Sequence, residues 1–531
     1  VIRTPKTGIV IVFIIAAYVL ASLWALLSYS SLGNFSDLMT DAYYLHVAKF
    51  SFYQASLSTL LSVGFALPVA HALSRRQFIG RGLLLKVFGT TLVLPVLVGV
   101  FGIIAMYGNQ GVLAQFLSVF DAKLPFSIYG LNGILIAHVF FNLPFSTRLL
   151  LMTIESVPTE QRRLAKHLGM SSWTCVKLVE WPRIKQHLPH IIGLVFMLCF
   201  TSFATVMALG GGPKATTIEL AIYQAIKFDF DLQVGAVLAI WQMAICSLLV
   251  LFVGRFSRVV EGGSAFGVAS LIQPLDSWRK RVWDTFWIMV SLLLVAPPLL
   301  MVIIAGLNQK IFDVLTDVVF WQSFFSSIQV AFVSATIALV AGVLILSSTR
   351  MLRLKEQLRL ADKIELVGTV ILVTPALVLS TATFLMLRGV TDVFSLAVVI
   401  VVLVNALMAL PFVIKTLNQP MLQLATQYHL LWQSLGILGV ARFFSMEWRA
   451  LRAPLMHAFS MSFILSLGDL TVIALFGSQD FKTLPLYLYQ LLGSYQMQAA
   501  AVVSLVLFTV SIGMFSLTER LVVKDKQRSA L

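Results

Sequence analysis

The stretch from Thr153 to Ile191, TIESVPTEQRRLAKHLGMSSWTCVKLVEWPRIKQHLPHI, is polar and basic in a chain that is otherwise oily. A degenerate second copy, PMLQLATQYHLLWQSLGILGVARFFSMEWRALRAPLMHA, occupies 420–458. Each copy hangs between long apolar runs. Two copies of one loop, each set between hydrophobic spans, predict a membrane protein with a paired docking surface in the cytoplasm.

Composition agrees with that reading. Of 531 residues, 59% are hydrophobic and 11% charged, with a mean hydropathy of +0.92. A soluble protein of this size needs far more charge to cover its surface. Many apolar runs reach the roughly 20 residues that cross about 30 Å of hydrocarbon. The fold class is therefore an all-α polytopic membrane protein; a β-barrel would show short alternating segments instead. The net charge of +15 is that of a membrane protein with basic cytoplasmic loops. No basic, aromatic-interleaved soluble module points to nucleic acid. Cys175, Cys199 and Cys246 show no CxxC spacing, so neither a disulfide framework nor a zinc site follows.

Spans are expected at 8–29, 50–73, 86–107, 128–152, 189–209 and 233–254, then, after a basic connector at 255–282, at 284–306, 323–348, 366–387, 393–417, 456–476 and 498–519. That is about 12 transmembrane helices. The first run has the length of a full span, not of a cleavable leader. With the N-terminus inside, only Lys49, Lys123, Lys214, Lys227, Lys310, Arg388 and Lys482 of the 38 Lys and Arg fall in outward segments. The remainder, from Arg3 and Lys6 to the tail after Arg520, lie in inward segments or at their edges. This asymmetry predicts both termini, and both polar loops, in the cytoplasm.

The chain also repeats. Leu143-Pro144-Phe145, Leu168-Gly169 and Glu180-Trp181 recur 267 residues later as Leu410-Pro411-Phe412, Leu435-Gly436 and Glu447-Trp448. Thr205-Val206, Thr217 and Tyr223-Gln224 recur at a spacing of 266 as Thr471-Val472, Thr483 and Tyr489-Gln490. The expected halves are 1–265 and 266–531. Each holds an even number of spans, so the repeat is parallel, with a pathway at the interface between two six-helix units.

Within the first loop, Thr159 reads as a helix start, Arg162 to Leu168 as helix, and Gly169 as a left-handed stop. Ser171 or Ser172 then caps a second helix running to Glu180, where Pro182 ends it or begins a new turn. The product is a short helix, a glycine turn and another short helix: a rigid knob suited to transmitting a push.

Ala165, Gly169 and Pro182, with Val176, Val179, Pro189 and Ile191, resemble the EAA loop of ABC-importer permeases, in which a coupling helix sits in a groove of a cytoplasmic ATPase. The glutamate of that pattern is Arg163 here, and its first alanine is Leu164. In the second copy Gly436 and Glu447 persist, while Trp432 stands for the alanine and Arg449 for the proline. HVFFNLPFSTRLLL, VEWPRIK, MLCFTSFATVMALGGGPKATTIELAIYQAI and SLGDLTVIALFGSQDFKTLPLYLYQLLGSYQ resemble more specifically the fused permeases of bacterial thiamine and thiamine pyrophosphate importers. The resemblance covers about 40–515, and the fused ferric-iron permeases share the architecture. It implies a type I importer fold in the bacterial inner membrane, two copies of a cytoplasmic ATPase, a periplasmic thiamine-binding protein, a small-molecule substrate and no cofactor or chemistry in the permease. The alternatives are a ferric-iron or other small-solute importer permease and, further off, an ion-coupled carrier, which would need several intramembrane carboxylates or an inverted repeat.

GGGPKATT at 210–217 lacks GK[ST] and is expected outside, so it is no nucleotide loop. His187 and His190 flank Pro189 and match no zinc signature. Asp469, within SLGDLTV, is a charge in mid-span, costly unless paired or hydrated; it is a candidate pathway residue or a structural partner. His138 and Asn405, related by the 267 spacing, line the pathway or bond helix to helix. Pro95 and Pro375 are expected to kink matching spans. Aromatic residues read as lipid-facing or core, with no cage for substrate rings.

Overall fold

The computed structural model describes residues 6–30, 40–256, 277–369, 371, 374–390, 392–437 and 439–529. Arg3 and most of the connector expected at 255–282 lie outside the described residues. Every regular element among the described residues is helical. The longer ones are α1 (Thr7–Tyr29), α2 (Ala42–Arg75), α3 (Arg81–Val93), α4 (Val96–Tyr107), α5 (Leu131–Glu155), α6 (Thr159–His167), α7 (Trp181–Phe200), α8 (Phe203–Leu209), α9 (Ile218–Lys227) and α10 (Leu232–Phe256). They continue with α11 (Trp278–Gly306), α12 (Val318–Leu354), α13 (Leu358–Thr369), α14 (Ala376–Arg388), α15 (Ala397–Ser434), α16 (Trp448–Leu467), α17 (Thr471–Phe476), α18 (Leu484–Gly493) and α19 (Met497–Ser529).

Among the described residues, ten helices are long and apolar enough to cross a membrane, eleven if the pair from Trp173 to Leu209, bent by 49°, is one span. The expected twelve need correction at 366–387, where Pro375 splits the run into α13 and the 13-residue α14. The run expected at 86–107 is likewise split at Pro95. Both prolines are extended, at φ −53°, ψ 135° and φ −59°, ψ 146°. A proline steers the residue before it away from the helical region, and Leu94 is accordingly extended. The expected kinks are outright breaks.

Two three-helix clusters form the interior: α2, α5 and α7, and α12, α15 and α16. In lipid the hydrophobic effect does not drive helices together, so small residues and side-chain hydroxyls must. In α2, Ser51, Ala55, Ser58, Ser62 and Ala66 are buried; in α12, Ser327, Ala331, Ser334, Ala338 and Gly342 are. Ser334 Oγ donates to the Val402 carbonyl at 3.0 Å. Ser51 Oγ accepts from Ile218 N at 3.0 Å, and Ser327 Oγ from Leu484 N at 2.6 Å. Each hydroxyl thus takes up the first free N–H of a short helix, α9 or α18.

The first helix packs far from its sequence neighbours. α1 lies against α12 and α14, with no room for a Cβ between Gly8 and the α12 backbone. Tyr18 hydrogen-bonds Thr383 at 2.5 Å. In return α11 lies against α2 and α4, with Gly102 in close contact with Pro298. Arg76 Nε and Asp284 Oδ2, at 2.7 Å, fasten α11 to the end of α2. Each cluster therefore wears the other's leading helix.

Candidate functional site

The first polar loop folds as its residues predict. α6 ends at His167, and Gly169 adopts φ +63°. That conformation lets Met170 N reach the Ala165 carbonyl at 3.0 Å, satisfying a group that the helix end would otherwise orphan. Ala165 is buried beneath the turn, while Arg163, Gly169 and Pro182 are exposed. Ser171 Oγ accepts from Thr174 N at 3.2 Å and starts the second helix.

That helix does not stop at Pro182. A π turn at Val176–Glu180 joins it to α7, with Trp181 N bonded to the Val176 carbonyl. A proline ring collides with the carbonyl four residues back in a regular helix, and the wider turn relieves the collision. The second loop has the same turn at Phe443–Glu447, although Arg449 stands where Pro182 does. Proline is therefore not the common cause. Both turns carry a buried glutamate inward instead. Glu180 Oε2 lies 3.3 Å from His71 Nε2. Glu447 is fully buried, 2.8 Å from Arg350 Nη2 and 2.7 Å from Arg442 Nε. Both guanidinium groups also face the Trp432 ring, at 6.0 and 4.8 Å.

The second loop differs at its entry. α15 runs unbroken through Pro420 to Ser434, where the first loop breaks between α5 and α6. Gly436 nevertheless takes φ +64°, and Ile437 N bonds to the Trp432 carbonyl at 3.1 Å, matching the first loop. Both loops turn an apolar row outward at matching positions: Leu164 and Leu431, Leu168 and Leu435, Trp181 and Trp448 are all exposed. An exposed apolar patch on a polar segment marks an interaction surface.

The three interior candidates fall at two helix breaks. Between α16 and α17, the half-buried Asp469 accepts from Thr471 N at 3.0 Å and Val472 N at 3.1 Å. Asn405 Nδ2 donates to Ser466 Oγ at 3.1 Å and lies beside the Asp469 carboxylate. Between α7 and α8, Ser202 holds the place of Asp469, 2.9 Å from His138 Nε2. His138 Nδ1 bonds Ser58 at 2.8 Å. His138 is therefore not joined to Asp469 and Asn405; each break has its own polar pair. The first break is the sharper, bent by 49°. At the second, Gly468 approaches Pro95, where an added Cβ would sit 3.0 Å from the proline ring. Asp469→Asn keeps one acceptor oxygen, and so one of the two backbone N–H bonds, and is expected to hold transport within about twofold, whereas Asp469→Ala removes both and should lose about 1 kcal/mol of stability, read by thermal unfolding in detergent. Loss of transport in the Asn variant, with its unfolding temperature unchanged, would assign the negative charge itself to the pathway.

Sequence reasoning missed the partners of the buried glutamates: His71, Arg350 and Arg442. It also missed Lys227, whose Nζ donates to the carbonyls of Leu475 at 3.0 Å and Gly477 at 3.2 Å, tying α9 to the end of α17. It also did not bring together four aromatic rings that meet at one cavity. A cavity of about 360 Å³ between α8, α9 and α18 is lined by Tyr129, Tyr223, Phe228 and Tyr489.

Comparison with known proteins places these features. Residues 47–260 match the family described as the binding-protein-dependent transport system inner membrane component. The chain is 44% identical over 514 residues to the thiamine transport system permease protein ThiP of Escherichia coli (strain K12), covering 97% of this chain and 96% of that one. The corresponding protein of Haemophilus influenzae is 39% identical over 500 residues, 93% of this chain and 92% of its own. That of Brucella abortus (strain 2308) is 38% identical over 490 residues, 92% of this chain and 89% of its own.

Proposed function

The chain belongs to the family of thiamine transport system permease proteins, inner membrane components of binding-protein-dependent transport, and from that premise we propose how it works: thiamine and its phosphates cross between two halves, 1–265 and 266–531, driven by two copies of a cytoplasmic ATPase. The permease performs no bond chemistry, and ATP is hydrolysed by the separate subunits. Both termini and both polar loops face the cytoplasm, and a periplasmic thiamine-binding protein delivers substrate to the opposite end.

The observation that carries the coupling reading is the matched surface of the two loops. Gly169 and Gly436 share one backbone conformation, and the same three apolar positions project from each loop. One loop would sit in each ATPase copy. Closure of the ATPase dimer draws the loops together and rocks the halves. In this reading Ala165, Gly169, Gly436 and the exposed Arg163 and Pro182 shape the docking knobs. Glu447, being buried, acts by positioning its loop. His138, Asn405 and Asp469 hold the helix breaks that border the pathway.

The two-half reading is supported by the reciprocal packing of α1 and α11. Two chains ending and beginning within 257–276, co-expressed, are expected to co-purify as one complex in detergent. Recovery of each piece alone would count against that reading. The substrate and the partners are tested by purifying the tagged chain from native membranes. Two ATPase copies per chain should accompany it, and the binding protein encoded with it should retain thiamine. A binding protein that retained ferric iron instead would overturn the substrate while leaving the architecture.

A further inference from the structure

Among the described residues, the cavity at the end of the bundle opposite the polar loops is walled by four aromatic rings and no carboxylate, Lys or Arg. Its volume, about 360 Å³, falls among small-molecule sites of roughly 300–1,000 Å³. The rings are held in place. Tyr223, buried on α9, meets Phe203 edge-on at 5.3 Å and Phe228 at 5.6 Å. Tyr129 is fixed from two sides. Gly130 N bonds the Leu209 carbonyl at 2.7 Å, and Gly211, at φ +72°, brings the glycine-rich turn so close that an added Cβ would lie 3.1 Å from Tyr129 Cβ. Tyr489 comes from α18. It is the counterpart of Tyr223 at the 266 spacing, so the cavity lies where the two members of one repeated pair converge.

We propose that this cavity is a reception site for a flat heteroaromatic cation, held by the faces of Tyr223 and Tyr489 and oriented by the Gln224 amide. The inference rests on the reading of the chain as a thiamine-importer permease and goes beyond it by giving the permease a substrate site of its own. Aromatic faces attract a cation through the ring quadrupole without a counter-charge. A site without a carboxylate binds such a cation loosely enough to pass it on. Because its walls come from both halves, any motion that separates α9 from α18 dismantles it and frees the ligand.

The test uses the full chain with its ATPase and binding protein in proteoliposomes, with radiolabelled thiamine as the probe. Replacing both Tyr223 and Tyr489 by Leu is expected to lower initial uptake about tenfold or more, while replacing both by Phe, which keeps the ring faces, holds it within about twofold. Wild-type uptake by the Leu pair, or a Phe pair as slow as the Leu pair, overturns the site and leaves the importer reading intact. Absence of thiamine uptake by the wild-type complex overturns the importer reading first. A second measurement does not depend on the folding of the Leu pair. In a Tyr489→Trp chain, thiamine should quench the new indole fluorescence, and a neutral thiophene analogue at equal concentration should not. Equal quenching by both, or by neither, contradicts a cation site.

Discussion

Gly169→Val is expected to leave the chain inserted in the membrane and to abolish uptake. Gly169 sits at φ +63°, and a Cβ there would meet nothing within 4 Å, so the cost is in the backbone alone. The left-handed region costs an ordinary L-residue about 1–2 kcal/mol, and a β-branched residue is the least tolerant of it. A local loss of about 2 kcal/mol is a factor of up to about 30 in population. It falls on the turn that sets Met170 N against the Ala165 carbonyl and so fixes the angle between α6 and the following helix. Asn, which enters this region readily, should retain most of the uptake at the same position. The readout is uptake per inserted chain. Normal uptake by the Val variant would show that the turn transmits nothing.

Glu447→Ala is expected to have the largest effect on stability. It leaves Arg350 and Arg442, both nearly buried, facing each other without a counter-charge. Removing one partner of a buried ion pair typically costs about 3–5 kcal/mol. The variant should accumulate poorly and unfold at lower temperature in detergent. Glu180→Ala should cost less, because its partner His71 is more exposed than Arg350 or Arg442. Replacing Arg350, Arg442 and Glu447 together by apolar residues should recover much of the stability, since well-packed apolar substitutes often match a buried ion cluster. An unchanged unfolding temperature in Glu447→Ala would mean that the cluster does not anchor the second loop.

The spans were legible because an apolar run of membrane length has few other meanings. The loops were legible because charge concentrates there. Gly169 and Gly436 were legible because only glycine ends a helix so cheaply. What stayed hidden depended on contacts between distant segments. The repeat spacing is 267 at Glu180 and Glu447 but 276 at Ser51 and Ser327, and at 276 His71 corresponds to Ser347, not to Arg350. A search at one spacing therefore finds the glutamates and misses what holds them. The exchange of α1 and α11 was not legible because the membrane stretches of both helices are apolar, and nothing in the sequence paired Asp284 with Arg76. Pro375 was read as a kink since its flanks are apolar enough for one span; its extended backbone makes a break. Lys227 was counted as an outward charge, yet its amine is turned onto two backbone carbonyls. The aromatic cavity escaped because Tyr129, Tyr223 and Tyr489 come from three separated segments.

On this reading ATP, acting through the two polar loops, drives a thiamine-type solute through this chain. The most direct test is accumulation of radiolabelled thiamine in proteoliposomes holding the chain and its ATPase, with binding protein outside and ATP sealed inside. Accumulation that requires both ATP and binding protein, and that Gly169→Val eliminates, is the predicted result. Accumulation without nucleotide, driven by a proton or sodium gradient, would contradict it.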